Sequence, residues 1–480
     1  MVIINSNEKH IGIIGGGVGG TTAAIRLAEK GFKVSLFEKS SSLVNGPPFC
    51  HLHAGGNMYR EISEDQCVQL LHECIRTVRM YKHVLNHRPT CIVIPKRDPG
   101  QPETILKRLE MLQTLYNKLV NVDPENMVLG DPSDYYQVFT KADCEALRSE
   151  EIPIEPANLT DWLIPVVKNV DLDQLKFPLV MVNELGWSIP RQAASATLAL
   201  SKLPSARVFC STTVDDVIAH EDGTYTISHG EEETHVDYLI NACGYKTGSI
   251  DDFCQVKTDR LVEFKAAYLC QWNQPGLWPE IVFHGPRGTP IGMAQYTPYA
   301  DGVIQIHGMT EKVTLFKNGL VKSTEESSQP KLDEKFETKI NSGWTKADVF
   351  KRTQRSIEHM RTFIPYFDAK PVDSQPLFGA QQIPGKNATL RAASVSFERP
   401  TYARIEIVKA SSAISAADAI VDHVNEAFEA KTEQECQPVE ELCPVTGALK
   451  EDEVLEKALE ICEMRRLPNS LAKFYNSQSF

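Results

Sequence analysis

Three glycines and one acid stand at spacings that could hold a dinucleotide. Gly15, Gly17 and Gly20 form G-x-G-x-x-G within Ile14-Gly-Gly-Gly-Val18-Gly-Gly20, and Glu38 follows 18 residues after the last of them. A glycine at the first position permits a tight turn. One at the second lets the backbone approach a pyrophosphate, and one at the third lets a helix pack close on a strand. A carboxylate at this remove binds ribose hydroxyls. The glycines have this meaning only between a strand and a helix. The apolar run 11–14 supplies the strand, and Thr21 to Lys30 supplies the helix, with Ala24, Leu27 and Ala28 on its apolar side and a stop at Gly31. A second strand, Val34 to Phe37, ends on the acid. The helix N-terminus offers N–H groups and a positive dipole end to phosphate. Gly15, Gly17, Val18, Gly20, Glu38 and Lys39 are therefore the expected nucleotide-binding residues. The motif alone leaves FAD and NAD open.

The totals narrow the classes. A chain of 480 residues with 42% hydrophobic and 24% charged residues can bury a large core. A net charge of −13 argues against nucleic acid and against adsorption to an anionic membrane. Twelve cysteines without a C-x-x-C pair suggest reduced thiols rather than a disulfide framework or a zinc ribbon. The opening MVIINSNEKH lacks signal-peptide character, and no apolar stretch is long enough to span a bilayer. The expectation is a cytoplasmic protein with no integral membrane segment.

The rest of the chain reads as elements that frame this motif. Residues 47–56 are rich in proline, glycine and histidine and are expected at the ligand. His51 and His53 have no third ligand nearby, so no metal is expected. Helices are expected at 63–87, capped by Ser63 with Gln66 three residues later, and at 102–122, with a strand at 91–95. Residues 206–214 form a strand and turn, and a meander follows with its turn at Asp222-Gly223. A buried strand, 236–244, ends in Asn241-Ala242-Cys243-Gly244 and is expected to return to the first sheet beside the dinucleotide. Residues 260–310 alternate as antiparallel strands, with a turn at Asp301-Gly302. Residues 318–345 read as an exposed polar excursion, and 347–363 as a helix. A strand at 402–409 opens a last helix whose first residues are small, which suits close approach of a ligand. The tail carries one short amphipathic helix, 451–465, with no legible chemistry.

These pieces imply an α/β protein, a discontinuous Rossmann-type dinucleotide domain (8–62, 190–250 and 346–430) and a second domain. The second, at 63–189 and 251–345, is expected to be a mostly antiparallel sheet with helices. Residues 431–480 form the tail.

In this order, the motifs resemble FAD-dependent oxidoreductases of the D-amino-acid oxidase type. The resemblance covers most of residues 10–428. Besides the glycine motif, Leu52-His53-Ala54-Gly55 is similar to the I-H-A-G loop of L-2-hydroxyglutarate dehydrogenases and to the W-H-A-A-G loop of dimethylglycine and sarcosine dehydrogenases. Leu239-Ile-Asn-Ala-Cys-Gly244 resembles the second nucleotide-binding strand, with Cys243 where alanine is usual. Lys409-Ala-Ser-Ser-Ala-Ile-Ser-Ala-Ala417 resembles the S-P-G/A-A-T-A-S segment, and 290–302 resembles the G-V-H-F-T…D-G stretch. The resemblance implies FAD, contacted by Val214, Ala242 and Gly244 and, at the flavin, by His53, Ala54, Gly55, Ala410, Ser411 and Ser412. It implies hydride transfer to flavin N5 from the C–H beside an amine or hydroxyl of a small amino or hydroxy acid. Electrons then pass to oxygen, a quinone or a carrier.

The departures set the alternatives. Gln295 stands where the hydroxyglutarate enzymes have a catalytic histidine, and an amide cannot act as a general base. His53, Gln295, Tyr296 and Arg287 are the candidate catalytic residues, with Arg287 as a clamp for a substrate carboxylate. His53 is also a candidate covalent flavin attachment. A non-catalytic flavin-binding maturation or assembly factor and a flavin monooxygenase stand as alternative readings. The second lacks the G-D-G segment it would need.

Overall fold

The computed structural model describes residues 9–46, 52, 56, 62–388, 390, 393–428 and 443–476. The strands His10–Ile14 and Lys33–Phe37 lie parallel, joined by the helix Val18–Glu29. Ile11, Ile13, Val34 and Leu36 are buried, as expected for a parallel sheet covered on both faces. Ala206–Phe209 pairs outside Lys33–Phe37. On the other side come Tyr238–Asn241, then Tyr402–Ile405, then an antiparallel edge strand Val395–Arg399. The register sets Ile14 beside both Phe37 and Asn241, so the glycine turn emerges between Glu38 and Ala242. The meander of Asp216–Ala219, Tyr225–His229 and Glu232–Val236 forms its own small sheet. Gly223 takes φ +84° in its first turn, as the Asp-Gly pair implies.

The second sheet has ten strands built around Arg260–Gln271. Val303–Gly308, Ala294–Pro298, Glu280–Phe283, Thr90–Pro95, Leu175–Val182 and Tyr136–Phe139 follow outward from it. All pairings are antiparallel except Glu280–Phe283 with Thr90–Pro95. Strands from 90–182 and from 260–308 thus share one sheet.

Some elements differ from the sequence reading. The first long helix ends at Met80, not near residue 87, because Tyr81 leaves helical geometry. The helix Lys346–Arg361 and the strand Leu377–Pro384, grouped above with the dinucleotide domain, belong to the large sheet. Leu377–Pro384 pairs with eight consecutive residues of Arg260–Gln271, a ladder that outweighs its proximity in sequence to 402–409. Residues 318–345 are not merely an exposed excursion. Phe336 and Trp344 are buried, and Phe336 stacks on Phe264 at 4.7 Å. The many lysines hid Phe336 and Ile340, four apart on the helix Glu334–Ser342, and Trp344 just beyond it, which join one apolar cluster.

The described part of the tail, 443–476, is anchored at several points along its length. The helix Glu451–Met464 packs on Ile189–Ser201 and buries Val454, Ala458, Ile461 and Cys462. Further on, the Tyr475 hydroxyl accepts from the Trp278 N–H at 2.8 Å, in the core beneath the large sheet. At the start of this run the Val445 N–H donates to Glu29 at 3.1 Å, while the other Glu29 oxygen is buried without a partner among the described residues. Burial raises the Glu29 carboxyl from about 4.5 to about 7. The neutral acid is therefore the stabilised form. Its contribution is complete below about pH 4.5 and is lost as pH rises through about 7. Glu29→Gln should leave the melting temperature unchanged at pH 4. At pH 8 it should raise stability by about 1–2 kcal/mol, after allowance for solvent screening. Melting curves of the two proteins across this range check it.

Candidate active site

A cavity of about 950 Å³ runs from the glycine turn to the large sheet. Gly15, Gly17, Val18, Glu38, Lys39, Val214, Ala242, Gly244, Ala410 and Ser411 line it, as does Gln295. Each glycine answers a different demand. A Cβ at Gly15, whose φ is +105°, would lie 2.3 Å from the Ala242 carbonyl oxygen. One at Gly20 would lie 2.0 Å from the Gly15 oxygen, so Gly20 packs the helix against the turn and does not itself face the cavity. At Gly17 a Cβ would meet nothing within 4 Å. That position has ordinary backbone geometry (φ −70°), so steric need within the protein does not explain its glycine. It opens on the cavity, beside a helix start with no side-chain cap and no acid in its first turn.

Glu38 is held ready for hydroxyls. One carboxylate oxygen accepts from the Gly16 N–H and the other from the Ser40 N–H, both at 2.8 Å, which leaves lone pairs on each. Lys39 donates to the Tyr245 hydroxyl at 3.1 Å, and Tyr245 also lines the cavity. Ser411 Oγ is buried at the wall without a partner among the described residues.

At the large sheet, Gln295 faces the cavity and its amide nitrogen donates to Glu280 at 2.5 Å. Glu280 is fully buried and paired with the buried Arg88 at 3.0 Å. Arg88 lies so close to Gly186 that a Cβ there would fall 1.7 Å from its guanidinium. This stack fixes the amide from behind. His307 is the cross-strand partner of Gln295 and also lines the cavity, as do Lys265, Met293 and Met309.

Other candidate residues lie elsewhere. Tyr296 does not reach the cavity, because successive residues of a strand point to opposite faces. It packs with Trp272, Trp278 and Phe367 on the far face, and burial pushes its hydroxyl far above the usual range. Arg287 is absent from the wall and is paired with Glu263. Ser412 gives its hydroxyl to Glu73 at 2.6 Å, behind the wall. His53, Ala54 and Gly55 lie outside the described residues, though Leu52 and Gly56 on either side are tied to Leu185 and Glu184. His307 was within reach of the sequence reading. A hairpin turning at Asp301-Gly302 pairs residues symmetric about 301, and that partners 295 with 307. Nothing in the sequence pointed to Lys265, Tyr245 or Arg465, which come to this wall from distant segments.

The sequence matches the FAD dependent oxidoreductase family over residues 10–375. The chain belongs to that family. Its cofactor is FAD and it is an oxidoreductase. Glycine oxidase from Geobacillus kaustophilus superimposes with a TM-score of 0.56 at 13% identity, over 90% of this chain and 98% of that one. L-alpha-glycerophosphate oxidase from Mycoplasma pneumoniae, with FAD bound, superimposes with a TM-score of 0.52 at 15% identity, over 89% and 97%. A 4,4'-diaponeurosporene oxygenase from Staphylococcus aureus (strain MRSA252) is 44% identical over 57 residues, 12% of this chain. The chain thus spans only 9% of the length of that curated relative. Among the described residues no helix is long and apolar enough to cross a membrane, and no group of three or more His, Cys, Asp or Glu side chains could hold a metal.

The open space at Gly17, the paired N–H groups on Glu38 and the buried Ser411 hydroxyl all fit FAD. Gly17 and Gly20 then separate two failures. Gly20→Ala should lose about 2–3 kcal/mol of stability through overpacking. Gly17→Ala should melt as the wild type does in the flavin-free state, yet bind FAD about tenfold or more weakly, the worth of one charge-assisted hydrogen bond. Thermal melts and flavin fluorescence titrations distinguish them.

Proposed function

We propose that this enzyme oxidises a small amino or hydroxy acid at the C–H beside its amine or hydroxyl, with the large-sheet end of the cavity as its substrate site. The observation that supports this is the convergence of Lys265, His307 and Gln295 from three adjoining strands onto one wall, between Met293 and Met309. This offers a cation, an imidazole and an amide to a small polar acid. Bound FAD supplies the hydride acceptor.

Lys265 binds the substrate carboxylate. It pairs with Glu263 at 2.8 Å and donates to Gln381 at 2.8 Å. Glu263 is shared with Arg287, so the trio carries one net positive charge. Burial pushes the Glu263 carboxyl up, but the two cations outweigh it and hold the group below its usual value. Arg287 in this reading offsets the charge of Glu263. His307 takes the proton from the substrate amine or hydroxyl, the task that Gln295 cannot perform. Gln295, anchored through Glu280 and Arg88, orients the substrate with its amide.

His307→Gln should lower kcat/KM by about 10²–10⁴-fold, the usual worth of a general base, and remove the acidic limb of the pH profile. Lys265→Met should raise KM for the acid by about tenfold, with kcat changed much less. Rates measured across pH with a panel of amino and hydroxy acids check both. Activity of His307→Gln within threefold of wild type, with the acidic limb intact, would contradict the assignment.

A further inference from the structure

The tail, which lies outside the residues matched by the family, reaches the cofactor cavity. After the helix Glu451–Met464 the chain turns at Arg465 and Arg466, and Arg465 and Leu467 line the cavity wall. The Arg465 guanidinium spans residues 42–44. It donates to Ser42 Oγ at 3.0 and 3.1 Å, to the Val44 oxygen at 3.3 Å and to the Leu43 oxygen. Those residues sit directly on the glycine turn. The Val44 N–H donates to the Gly16 oxygen at 2.7 Å, and a Cβ on Gly16 would strike Leu43.

The charge balance at Arg465 is incomplete. Its acceptors are a hydroxyl and two carbonyls, and no carboxylate stands within ion-pair distance of it among the described residues. Glu38, whose field it feels, is engaged by the Gly16 and Ser40 N–H groups. Two other cations on this wall have counter-charges, Lys246 in Glu337 and Lys265 in Glu263, whereas Lys39, like Arg465, donates to a neutral group, the Tyr245 hydroxyl. Burial lowers the Arg465 guanidinium to about 10, so it is a cation at neutral pH. Arg465 is partly buried, and a cation partly withdrawn from water without a counter-charge is disfavoured, while the forked guanidinium suits paired phosphate oxygens.

We propose that the C-terminal segment completes the cofactor site, with Arg465 as the cation that neutralises the diphosphate of FAD and the tail as a strap that holds residues 42–44 on the glycine turn. The strap is fixed on both sides of Arg465. Before it, Glu451–Met464 lies on Ile189–Ser201. After it, Ser188 Oγ donates to the Leu471 oxygen at 2.7 Å, while Ser470 and Lys473 both hold Asp301, at 2.9 and 2.8 Å.

The test is the rate of FAD release from the full-length holoprotein, followed by the rise in flavin fluorescence. Arg465→Gln should release FAD at least about tenfold faster than wild type, the loss expected for one charge-assisted contact. Arg465→Lys, which keeps the charge, should fall between the two. Release from Arg465→Gln within twofold of wild type, or equal rates for the Gln and Lys variants, would overturn the proposal, because a purely packing role does not distinguish the two by charge. Wild-type protein gives a second reading that needs no variant to fold. With FAD washed out, ADP should slow amide hydrogen exchange across 461–467 and adenosine should not. Any other pattern places no diphosphate at the strap and overturns the proposal.

Discussion

The cavity exists because three backbone segments cross with no room for a side chain between them. Gly15 lies against the Ala242 carbonyl and Gly20 lies against Gly15, so the helix Val18–Glu29 sits directly over the strands His10–Ile14 and Tyr238–Asn241. Any Cβ at either glycine would lift the helix away, and the helix start would lose its place beside the cavity. Register does the rest. With Ile14 level with Phe37 and with Asn241, the parallel strands deliver Glu38, the glycine turn and Ala242 to one edge. Tyr402–Ile405, next in the sheet, leads on to Ala410 and Ser411 at the same edge. Ligands of open α/β sheets bind at this end of the strands.

The large sheet brings the reacting groups to the other side of the cavity, and strand alternation decides which ones. Gln295 and His307 share the cavity face, whereas Tyr296 points into an aromatic core of Trp272, Trp278 and Phe367. The buried Arg88–Glu280 pair contributes placement more than net stability, since desolvating both ions offsets much of their attraction. Its hydrogen bond to Gln295 fixes one polar group on the wall that also carries Lys265, His307, Met293 and Met309.

The glycine turn, Glu38, Ala242 and the small residues 410–411, which line the cavity, were legible from local spacing or from the end of one strand, whereas Val214 came from the family resemblance. The twelve-residue strand Arg260–Gln271 and its neighbours were legible as an antiparallel region by alternation, yet alternation did not say which face met the cavity. That ambiguity led to Tyr296. Arg287 was misread because its partner, Glu263, is 24 residues away and no pattern ties the two. Lys265 and Arg465 were invisible for a related reason. A lone cation in a strand or after a helix looks like solvated surface until the fold brings the cavity to it. The tail, which showed no chemistry in its own sequence, acquires a place only through contacts with residues 42–44 and with Ile189–Ser201.

The most direct measurement is anaerobic mixing of the purified flavoprotein with a panel of small amino and hydroxy acids, with the visible flavin absorbance band followed in time. The expected result is rapid bleaching by at least one acid, with a rate that saturates with its concentration. That would establish reduction of the flavin by a bound acid, as the account requires. A protein that holds FAD, bleaches with dithionite, and yet is not bleached by any member of the panel would contradict the substrate class proposed here.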